Sequence, residues 1–582
     1  MKVRKQSVFI FFYFFFFSSL FAQEALKSLE EEYYDFLSLT GVVERPTLGY
    51  RTLSDNVWKY NTVESFEENE DGTFTKVRVP GEESDAHVWK NNNLGTTYTL
   101  WEAKSPSDNW FARGIKQGFT ARIYGPEWFN SYNTAAPYGQ NDGALWQGRG
   151  YNTALTAGVR LEGYGVEVTF KPQVSWMENR EFETMKSIAE NQFGYFSKGI
   201  DLVQRFGDIS FWNYDWGDSE IRWTWQSFTI GFGNQSPWLG PAYINPMLGS
   251  NNAGSYSKFD FGLKKTNISF PLNNNYILNL GDFEARVWIG RLIESNYFDN
   301  NAENDFRLLN AISLSYTPSF IPVLTIGLNR IFDTYWQKEN FKYFKRLFTL
   351  KKENALSISG NDEDQKFALF IDLNFEKVGF EVYGEFGCDD FTSNRWTNPF
   401  HTAIYTIGGK QNIPLTILKK LNLNLESEII FELNNFEMSQ DFQLEWPYTG
   451  YYSHGFVNQG YTQKGQIIGA GSGSFGNSQY LSYKIYYSKG DFILFFHRYC
   501  PNNNYIYSKA VYNSAKKDQS NINEKWYDRY ESYFVYGINL LYYLNNNFII
   551  DFGFSFLNIY CIHYQKTGDY SFNFALRLKY NF

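Results

Sequence analysis

The sequence predicts an all-β membrane protein, a closed antiparallel transmembrane β-barrel of about eighteen strands with a small, mainly helical periplasmic region before it. Two properties of the composition and one pattern support this fold. Aromatic residues make up 20% of the 582 residues, whereas the mean hydropathy is only −0.43. In a barrel strand, side chains that face lipid alternate with side chains that face a polar lumen. A membrane barrel therefore combines high aromatic content with low mean hydropathy.

The amino terminus has the pattern of a secretory signal peptide. Basic residues precede an apolar run from Val8 to Phe17, and small residues lead up to Ala22. This run is too short for a membrane-spanning helix, which needs about twenty apolar residues, so we expect cleavage after Ala22. No cysteine follows that site, which argues against a lipoprotein anchor. The expected division of the chain is a signal peptide at 1–22, a periplasmic region at 23–112 and the barrel at 113–582.

Composition also narrows the function classes. The net charge of −9 leaves no basic stripe for phosphates, so we expect no nucleic-acid partner. The three cysteines and five histidines are dispersed and form neither a CxxC nor an HExxH motif. The nearest approach to a serine-hydrolase motif runs from Gly476 to Tyr480 and lacks the final glycine. The sequence therefore predicts no catalytic, metal or cofactor site.

The carboxyl-terminal segment shows the clearest strand pattern. From Phe572 to Phe582 every second residue is apolar, and Arg577 and Lys579 lie on the opposite face. Charged side chains toward lipid are costly, so that face must look into a lumen. A half-buried strand of a soluble sandwich would alternate in the same way, but the neighbouring segments 534–542 and 550–556 repeat the pattern.

The predicted strands number about eighteen, an even number as in bacterial single-chain barrels. They are 115–124, 152–161, 165–176, 208–214, 220–233, 258–278, 281–293, 307–316, 322–330, 365–375, 378–387, 403–411, 420–434, 479–487, 490–498, 532–542, 549–560 and 571–582. The least regular strand is 258–278, where Pro271 and Asn273 mark either a turn or a bulge.

Connection lengths assign the two sides of the membrane. Short turns such as 544–547 alternate with long polar segments such as 444–478 and 499–531. Outer-membrane barrels have short periplasmic turns and long extracellular loops, so both chain termini are expected in the periplasm. Before about Arg113 the alternation disappears, and apolar residues at helical spacing from Glu24 to Leu39 predict an amphipathic helix. This helix either packs against the barrel or meets a periplasmic partner.

Several motifs follow one another in a recognisable order. The clearest runs from Trp225 to Gly233, continues through Trp238-Leu239-Gly240-Pro241 and ends at 249–253. The others are 315–331, 364–390 and 451–469, with 37–54 near the amino terminus. In this order they resemble the motifs of the capsule assembly Wzi family. Leu239 departs from the family pattern, which often has a second tryptophan at that position.

The resemblance implies a non-enzymatic outer-membrane surface protein that binds and anchors or organises capsular or exopolysaccharide. Outer-membrane lipid and polysaccharide export machinery would be its other partners. Sugars are bound by aromatic faces and by amide or carboxylate groups, which the predicted outer loops supply. The candidate binding residues are Trp128, Tyr132, Trp238, Trp446, Tyr451, Tyr452, His454 and Tyr505. The same aromatic residues could instead form interfacial girdles or an inward-folded plug.

Two other functions remain open from the residues alone. About eighteen strands can enclose an aqueous lumen, which would permit a porin or a specific channel. The glycine-rich stretch Gly469–Gly476 is better suited to filling a lumen than to lining an open one. A hydrolase would need a nucleophile with its base and acid, and Ser453 beside His454 does not constitute such a triad.

Overall fold

The wall of the barrel consists of eighteen positions, each paired with the next by antiparallel backbone hydrogen bonds. In this computed structural model the described residues are 29–68, 74–80, 96–273, 276–348, 363–389, 400, 402–415, 425–437, 450–506, 529–545 and 547–582. The wall closes where the last strand pairs with the first, for example Phe574 with Tyr132. The predicted closed barrel of eighteen strands is confirmed.

We number the wall strands in chain order. They are β1 Phe119–Asn133, β2 Gly150–Gly163, β3 Val166–Phe170 with Gln173–Met177, β4 Phe211–Asp215 with Glu220–Trp225, β5 Phe228–Gly233, β6 Ser257–Asn273, β7 Tyr276–Ile293, β8 Phe306–Pro318, β9 Leu324–Tyr335, β10 Glu363–Phe375, β11 Phe380–Asp389, β12 Ala403–Asn412, β13 Glu426–Asn435, β14 Asn477–Tyr487, β15 Gly490–Cys500, β16 Ser532–Tyr543, β17 Phe548–Tyr560 and β18 Gly568–Tyr580. The third and fourth positions are each interrupted once, so two short segments share one place in the wall.

Three predicted boundaries are wrong. The predicted strand 220–233 is a hairpin, because Gln226 adopts a positive φ of 52° and turns the chain between β4 and β5. The predicted strand 258–278 covers almost all of β6 and continues past the turn into the start of β7, with register shifts around Pro271. The first strand continues to Asn133 instead of ending at 124, across an irregularity beside Pro126.

The wall has an apolar outer face and a polar inner face. Outward side chains such as Leu155, Phe232 and Tyr536 are exposed at the surface of the barrel. Inward side chains such as Arg222 and Glu284 are almost fully buried. This is the alternation that a lipid-facing wall around a polar interior requires, and it confirms the pattern predicted from the sequence.

The two ends of the barrel differ in the length of their connections. One end has short turns, including 164–165, 226–227 and 488–489, and we call it the short-turn end. The other end carries long segments, including 178–210 and 436–476, and we call it the long-loop end. The assignment of these ends to periplasm and exterior stays a prediction, as does the division of the chain at 112.

The predicted amphipathic helix is present as α1, Leu29–Leu39. Its apolar face, with Tyr33 and Phe36, packs against the inward side chains Tyr486 and Leu541 near the short-turn end. Lys410 of β12 donates to Asp35 of the helix at 2.6 Å. Residues 1–28, which include the predicted signal peptide, lie outside the described residues. Within the described part, no helix is long and apolar enough to span a membrane.

Chain segments from both ends fill the lumen. Residues 40–60, 138–147, 234–256 and 450–476 fold inward and form a plug. Most of it packs around one apolar cluster, and 138–147 bonds the segment 244–251. The packing is tight, because a Cβ atom on Gly469 would lie 2.2 Å from the carbonyl oxygen of Met247. The glycine-rich stretch predicted to fill the lumen does so, with Ala470 and Phe475 buried.

Candidate functional site

Carboxylates of the wall bind the backbone of the plug. Glu284 of β7 accepts from the backbone N–H groups of Leu48, Gly49 and Tyr50 at 3.0, 2.7 and 3.0 Å. A carboxylate that accepts several N–H groups forms charge-assisted bonds, which are about twice as strong as neutral ones. This single side chain therefore fixes three consecutive residues of the plug.

Two further wall carboxylates hold the segment 242–247. Glu385 of β11 accepts from the N–H groups of Ala242 and Met247, both at 3.1 Å. Glu432 of β13 accepts from the N–H groups of Tyr243 at 2.6 Å and Asn245 at 2.8 Å. The wall carboxylates therefore bind the plug through its backbone N–H groups, which every residue except proline has.

A buried ionic network adds a side-chain anchor. Arg286 of β7 lies 3.1 Å from Asp55 of the plug and 2.8 Å from Asp260 of β6. Arg222 of β4 in turn bonds Asp260 at 2.7 Å. Burial alone would raise the pKa of Asp55, but the charges of Arg286 and Lys264 outweigh it and hold that pKa well below its ordinary value. Asp55 is therefore ionised at neutral pH.

A second anchor holds the 450–476 segment of the plug. The guanidinium of Arg307 in β8 donates to Asp333 at 2.7 Å and to the backbone carbonyl of Thr462 at 2.5 Å. It also donates to the carbonyl of Gly460. These contacts place the chain just before residue 460 across the long-loop end of the barrel.

Two of the predicted sugar-binding residues lie in the wall and not in an outer loop. The sequence placed Trp128 and Tyr132 in a loop, but both belong to β1, which pairs with β18 along this stretch. Trp128 is 48% exposed on the outer face, beside Leu155 and Leu578 in the register. The hydroxyl of Tyr132 accepts from Arg180 at 2.8 Å. The predicted loop position of both is wrong because the strand continues past residue 124.

Three other candidates are buried in the plug. Tyr451 and Tyr452 are fully buried in the apolar cluster of the lumen, and Trp238 is 1% exposed. The indole nitrogen of Trp238 donates to the carbonyl of Ala242 at 3.0 Å, and the Tyr452 hydroxyl donates to that of Met247 at 2.7 Å. Their rings are covered by protein, so their contact with a sugar stays a prediction and their observed role is to pack the plug.

The remaining candidates, His454, Tyr505 and Trp446, differ in their location. His454 lies at the long-loop end, where its Nδ1 accepts from the backbone N–H of Val457 at 3.0 Å. Tyr505 stacks on Tyr564 with ring centres 4.3 Å apart. Trp446 lies outside the described residues. Of the seven predicted residues that the structure describes, His454 is therefore the one next to an exposed aromatic ring, that of Phe456, at the barrel mouth.

The structure adds aromatic neighbours that the sequence analysis missed. We define the mouth patch as Tyr335, Trp336, Phe341, His454 and Phe456. Phe456 is 57% exposed, and its carbonyl accepts from the Tyr335 hydroxyl at 2.9 Å. Trp336 is 41% exposed and meets Phe341 edge-on with ring centres 5.6 Å apart. Phe456 follows His454 by two residues and Trp336 directly follows a strand, so both could have been found from the sequence.

Polar groups border the mouth patch. The guanidinium of Arg291 lies 5.7 Å from the ring of Trp336. The connection 294–305 carries the exposed side chains Asn300, Asn301 and Glu303. Gln459 donates to the backbone carbonyl of Asn304 at 3.2 Å and so joins this connection to the plug. The long-loop end therefore carries two sets of exposed aromatic rings. His454 and Phe456 lie on the plug side, beside Tyr335, whereas Trp336 and Arg291 lie on the outer side of the wall, because Tyr335 is paired with the inward Arg307. No group of three metal-ligating side chains occurs in the part of the chain that the structure describes.

Comparison with known proteins bears on the fold. No protein-family profile and no curated protein matches the chain. Wzi from Escherichia coli, described as an outer-membrane protein involved in group 1 capsule assembly and a carbohydrate-binding β-barrel, is 11% identical, with a TM-score of 0.49 over 78% of this chain and 84% of that chain. OprB from Pseudomonas putida is 8% identical, with a TM-score of 0.35 over 79% of this chain and 94% of that one.

OccAB4 from Acinetobacter baumannii is 10% identical, with a TM-score of 0.35 over 79% of this chain and 97% of that one. At such identities the similarity concerns the fold alone. A closed wall with an apolar outer face satisfies every backbone hydrogen bond within lipid, which is the architecture of an outer-membrane barrel.

Proposed function

We propose that the protein binds capsular or exopolysaccharide at the cell surface and anchors or organises it there, without catalysing a reaction. The observation that carries the proposal is the mouth patch, exposed aromatic rings at the long-loop end, where the connection 294–305 also exposes amide and carboxylate side chains. The order of the family-like motifs along the sequence points in the same direction. In this proposal the long-loop end is extracellular, and the chain termini and short turns are periplasmic.

The mouth patch has the chemistry that a glycan chain requires. The apolar face of a sugar ring packs on an aromatic side chain, and Phe456 and Trp336 present such faces to solvent. The hydroxyl groups of the sugar bond to planar amides and carboxylates, which Asn301 and Glu303 expose on the connection 294–305 at the same end of the barrel. Because the patch is open and not enclosed, it suits a polymer that continues beyond the contact on both sides.

A diffusion channel is the second candidate function, and the filled lumen disfavours it. The plug segments pack around a buried apolar cluster, with Tyr451 and Tyr461 fully buried. The wall carboxylates Glu284, Glu385 and Glu432 bind the plug backbone at several points. An open pore would require these contacts to break, so stable single-channel currents from the purified protein in planar bilayers would favour the channel.

The experiment compares two variants with the wild-type protein. In the double variant Phe456→Ala, Trp336→Ala, both exposed faces of the mouth patch are removed. The control is Phe320→Ala, because Phe320 is 80% exposed but lies in the turn 319–323 at the opposite end. Two aromatic contacts of about 1 kcal/mol each predict a roughly thirtyfold weaker binding of the polysaccharide to the double variant.

Two measurements test this expectation. Retention of surface polysaccharide is compared on producing cells that carry the wild-type chain, the double variant, the control or no copy. Binding of the isolated polysaccharide to the purified barrel is then measured directly. Loss in the double variant alone supports the proposal. Equal retention with and without the chain, or no binding by the wild-type protein, overturns it.

A further inference from the structure

The plug leaves one side of the lumen partly unfilled. Its backbone is held by carboxylates of β7, β11 and β13, whereas a cavity of about 190 Å³ lies against β14 to β18. The opposite boundary of this cavity is formed by plug residues of the segments 138–147 and 238–251. We call this space the lumen chamber. Gly139 at its boundary is exposed, so the chamber borders solvent through the connection between β1 and β2.

Three wall side chains of the chamber have polar atoms with no protein partner. The Oδ1 atom of Asn573 has none, although its Nδ2 donates to Asn133 at 2.7 Å, which fixes the amide orientation. Asn539 Oδ1 and His497 Nε2 likewise have no hydrogen-bond partner. Asn573 and His497 are each 2% exposed. Buried polar groups in native proteins are almost always bonded, so these atoms need hydrogen-bond partners inside the chamber, supplied by water or by a ligand.

The plug contributes matching groups from the other side. Gln140 Oε1 and Asn141 Oδ1 line the chamber and also have no protein partner. The amide of Asn141 is oriented, because its Nδ2 donates to the carbonyl of Ile244 at 2.9 Å. Among the amide groups that line the chamber, unpartnered oxygens belong to Asn141, Asn251, Asn539, Asn573, Gln140 and Gln147, and Gln147 also has an unpartnered Nε2. Amide oxygens only accept hydrogen bonds, so acceptors predominate. An occupant must donate several hydrogen bonds, as hydroxyl groups do.

The charges of the chamber are compensated within the protein. Lys484 lies 2.7 Å from Glu32 and 3.5 Å from Asp491. Arg577 lies 3.8 Å from Asp551. Because each cation already faces a carboxylate, and amide oxygens repel anions, the chamber does not suit an anionic ligand. The chamber is also lined by the ring of Tyr480, whose centre lies about 6 Å from the ring centres of Tyr243, Phe495 and His497.

We propose that the lumen chamber is an internal binding site for a small neutral polyhydroxylated molecule, of the size and chemistry of one hexose. Hydroxyl groups would donate to the oxygens of Asn539, Asn573 and Asn141, and the ring of the ligand would pack against Tyr480. With a volume of about 190 Å³ the chamber has room for about one sugar ring, so this site is separate from the mouth patch and does not depend on the function proposed for it.

The test uses the purified full-length chain with D-glucose, D-galactose and D-mannose as probes. Binding is measured by calorimetry and by saturation-transfer NMR. Asn539→Leu and Asn573→Leu each replace an acceptor by methyl groups of similar volume, so each is expected to weaken hexose binding at least about tenfold. The matched control is Asn558→Leu, the same exchange on the outer face of β17, which is expected to bind as the wild type does.

Asn573→Leu also removes the hydrogen bond to Asn133. The resistance of each variant to unfolding in detergent is therefore measured, to establish that the barrel is still folded. Saturable binding of a hexose that both chamber variants weaken supports the proposal. No saturable binding, binding that the chamber variants leave unchanged, or a crystal structure at high hexose concentration with ordered water alone in the chamber overturns it. If cells that carry Asn539→Leu still retain surface polysaccharide while the purified variant no longer binds hexose, the lumen chamber and the mouth patch are separate sites.

Discussion

The contact between Asp55 and Arg286 predicts how strongly the plug is held in the barrel. Asp55 lies in the short 3-10 turn Leu53–Asp55 of the plug, and both of its oxygens lie 3.1 Å from the Arg286 guanidinium. Both side chains are buried. The variant Asp55→Asn keeps the shape of the side chain and removes its charge, so Arg286 loses one of its two carboxylate partners.

The size of the effect follows from burial. Removing one partner of a buried ion pair costs about 3 to 5 kcal/mol, because the remaining charge is left uncompensated. Arg286 keeps Asp260 at 2.8 Å, which places the expected cost near the lower limit of about 3 kcal/mol. This corresponds to roughly a hundredfold shift from the docked toward the undocked plug.

Two measurements check this expectation. Urea unfolding in detergent should show a lower free energy of unfolding for Asp55→Asn, and planar bilayers should show currents that the wild-type protein lacks. The control is Asp108→Asn, since Asp108 pairs with Arg113 at 2.8 Å on the exposed surface, where an ion pair contributes less than about 1 kcal/mol. If Asp55→Asn behaves like this control in both assays, the assignment of Asp55 as an anchor of the plug is refuted.

Three further predictions concern the same architecture. The pKa of Asp55 is lowered in the folded protein, so its contribution to stability is complete above its ordinary pKa and is lost as pH falls through the folded value. The free energy of unfolding of the wild-type protein should therefore fall in acid by an amount that Asp55→Asn does not show. Glu432→Gln should destabilise plug docking by about 1 to 3 kcal/mol, measured as increased protease cleavage within 242–247. Leu481→Arg, on the outer face of β14, should cost about 2 to 4 kcal/mol of folding stability in lipid vesicles, because it places a charge toward lipid. Tyr570→Arg, near the end of β18 and so closer to the membrane surface, should cost at most about 1 kcal/mol.

The strands could be predicted because their pattern is local. In β18 the alternation of Phe572 and Phe574 with polar residues records directly which side chain faces lipid. The boundaries were less certain where two strands meet at a tight turn, as at Gln226, because alternation alone does not show a change of direction. The strand β1 was cut short because Pro126 interrupts its pattern, although the ladder resumes at Glu127.

The plug could not be predicted in detail because its contacts are long-range. Asp55 meets Arg286 across 231 positions of the sequence, and Tyr451 bonds the carbonyl of Phe367 across 84. Loops rich in aromatic residues can lie at the mouth or fold inward, and local sequence does not separate these outcomes. One indication was available, since charged residues such as Arg222 in the middle of strands need partners inside the lumen.

The way the wall holds the plug explains why the plug segments carry no regular pattern. Glu284, Glu385 and Glu432 bind mainly backbone N–H groups, which every residue except proline has, so few side chains between 242 and 247 are needed for this contact; Asn245 is one that also donates to Glu432. The negative charge that strengthens these hydrogen bonds is supplied by the wall side chains and not by the plug. These three carboxylates lie on β7, β11 and β13, and the lumen chamber lies against β14 to β18. Substitutions in the chamber therefore do not touch these anchors, which is why its binding can be tested without releasing the plug.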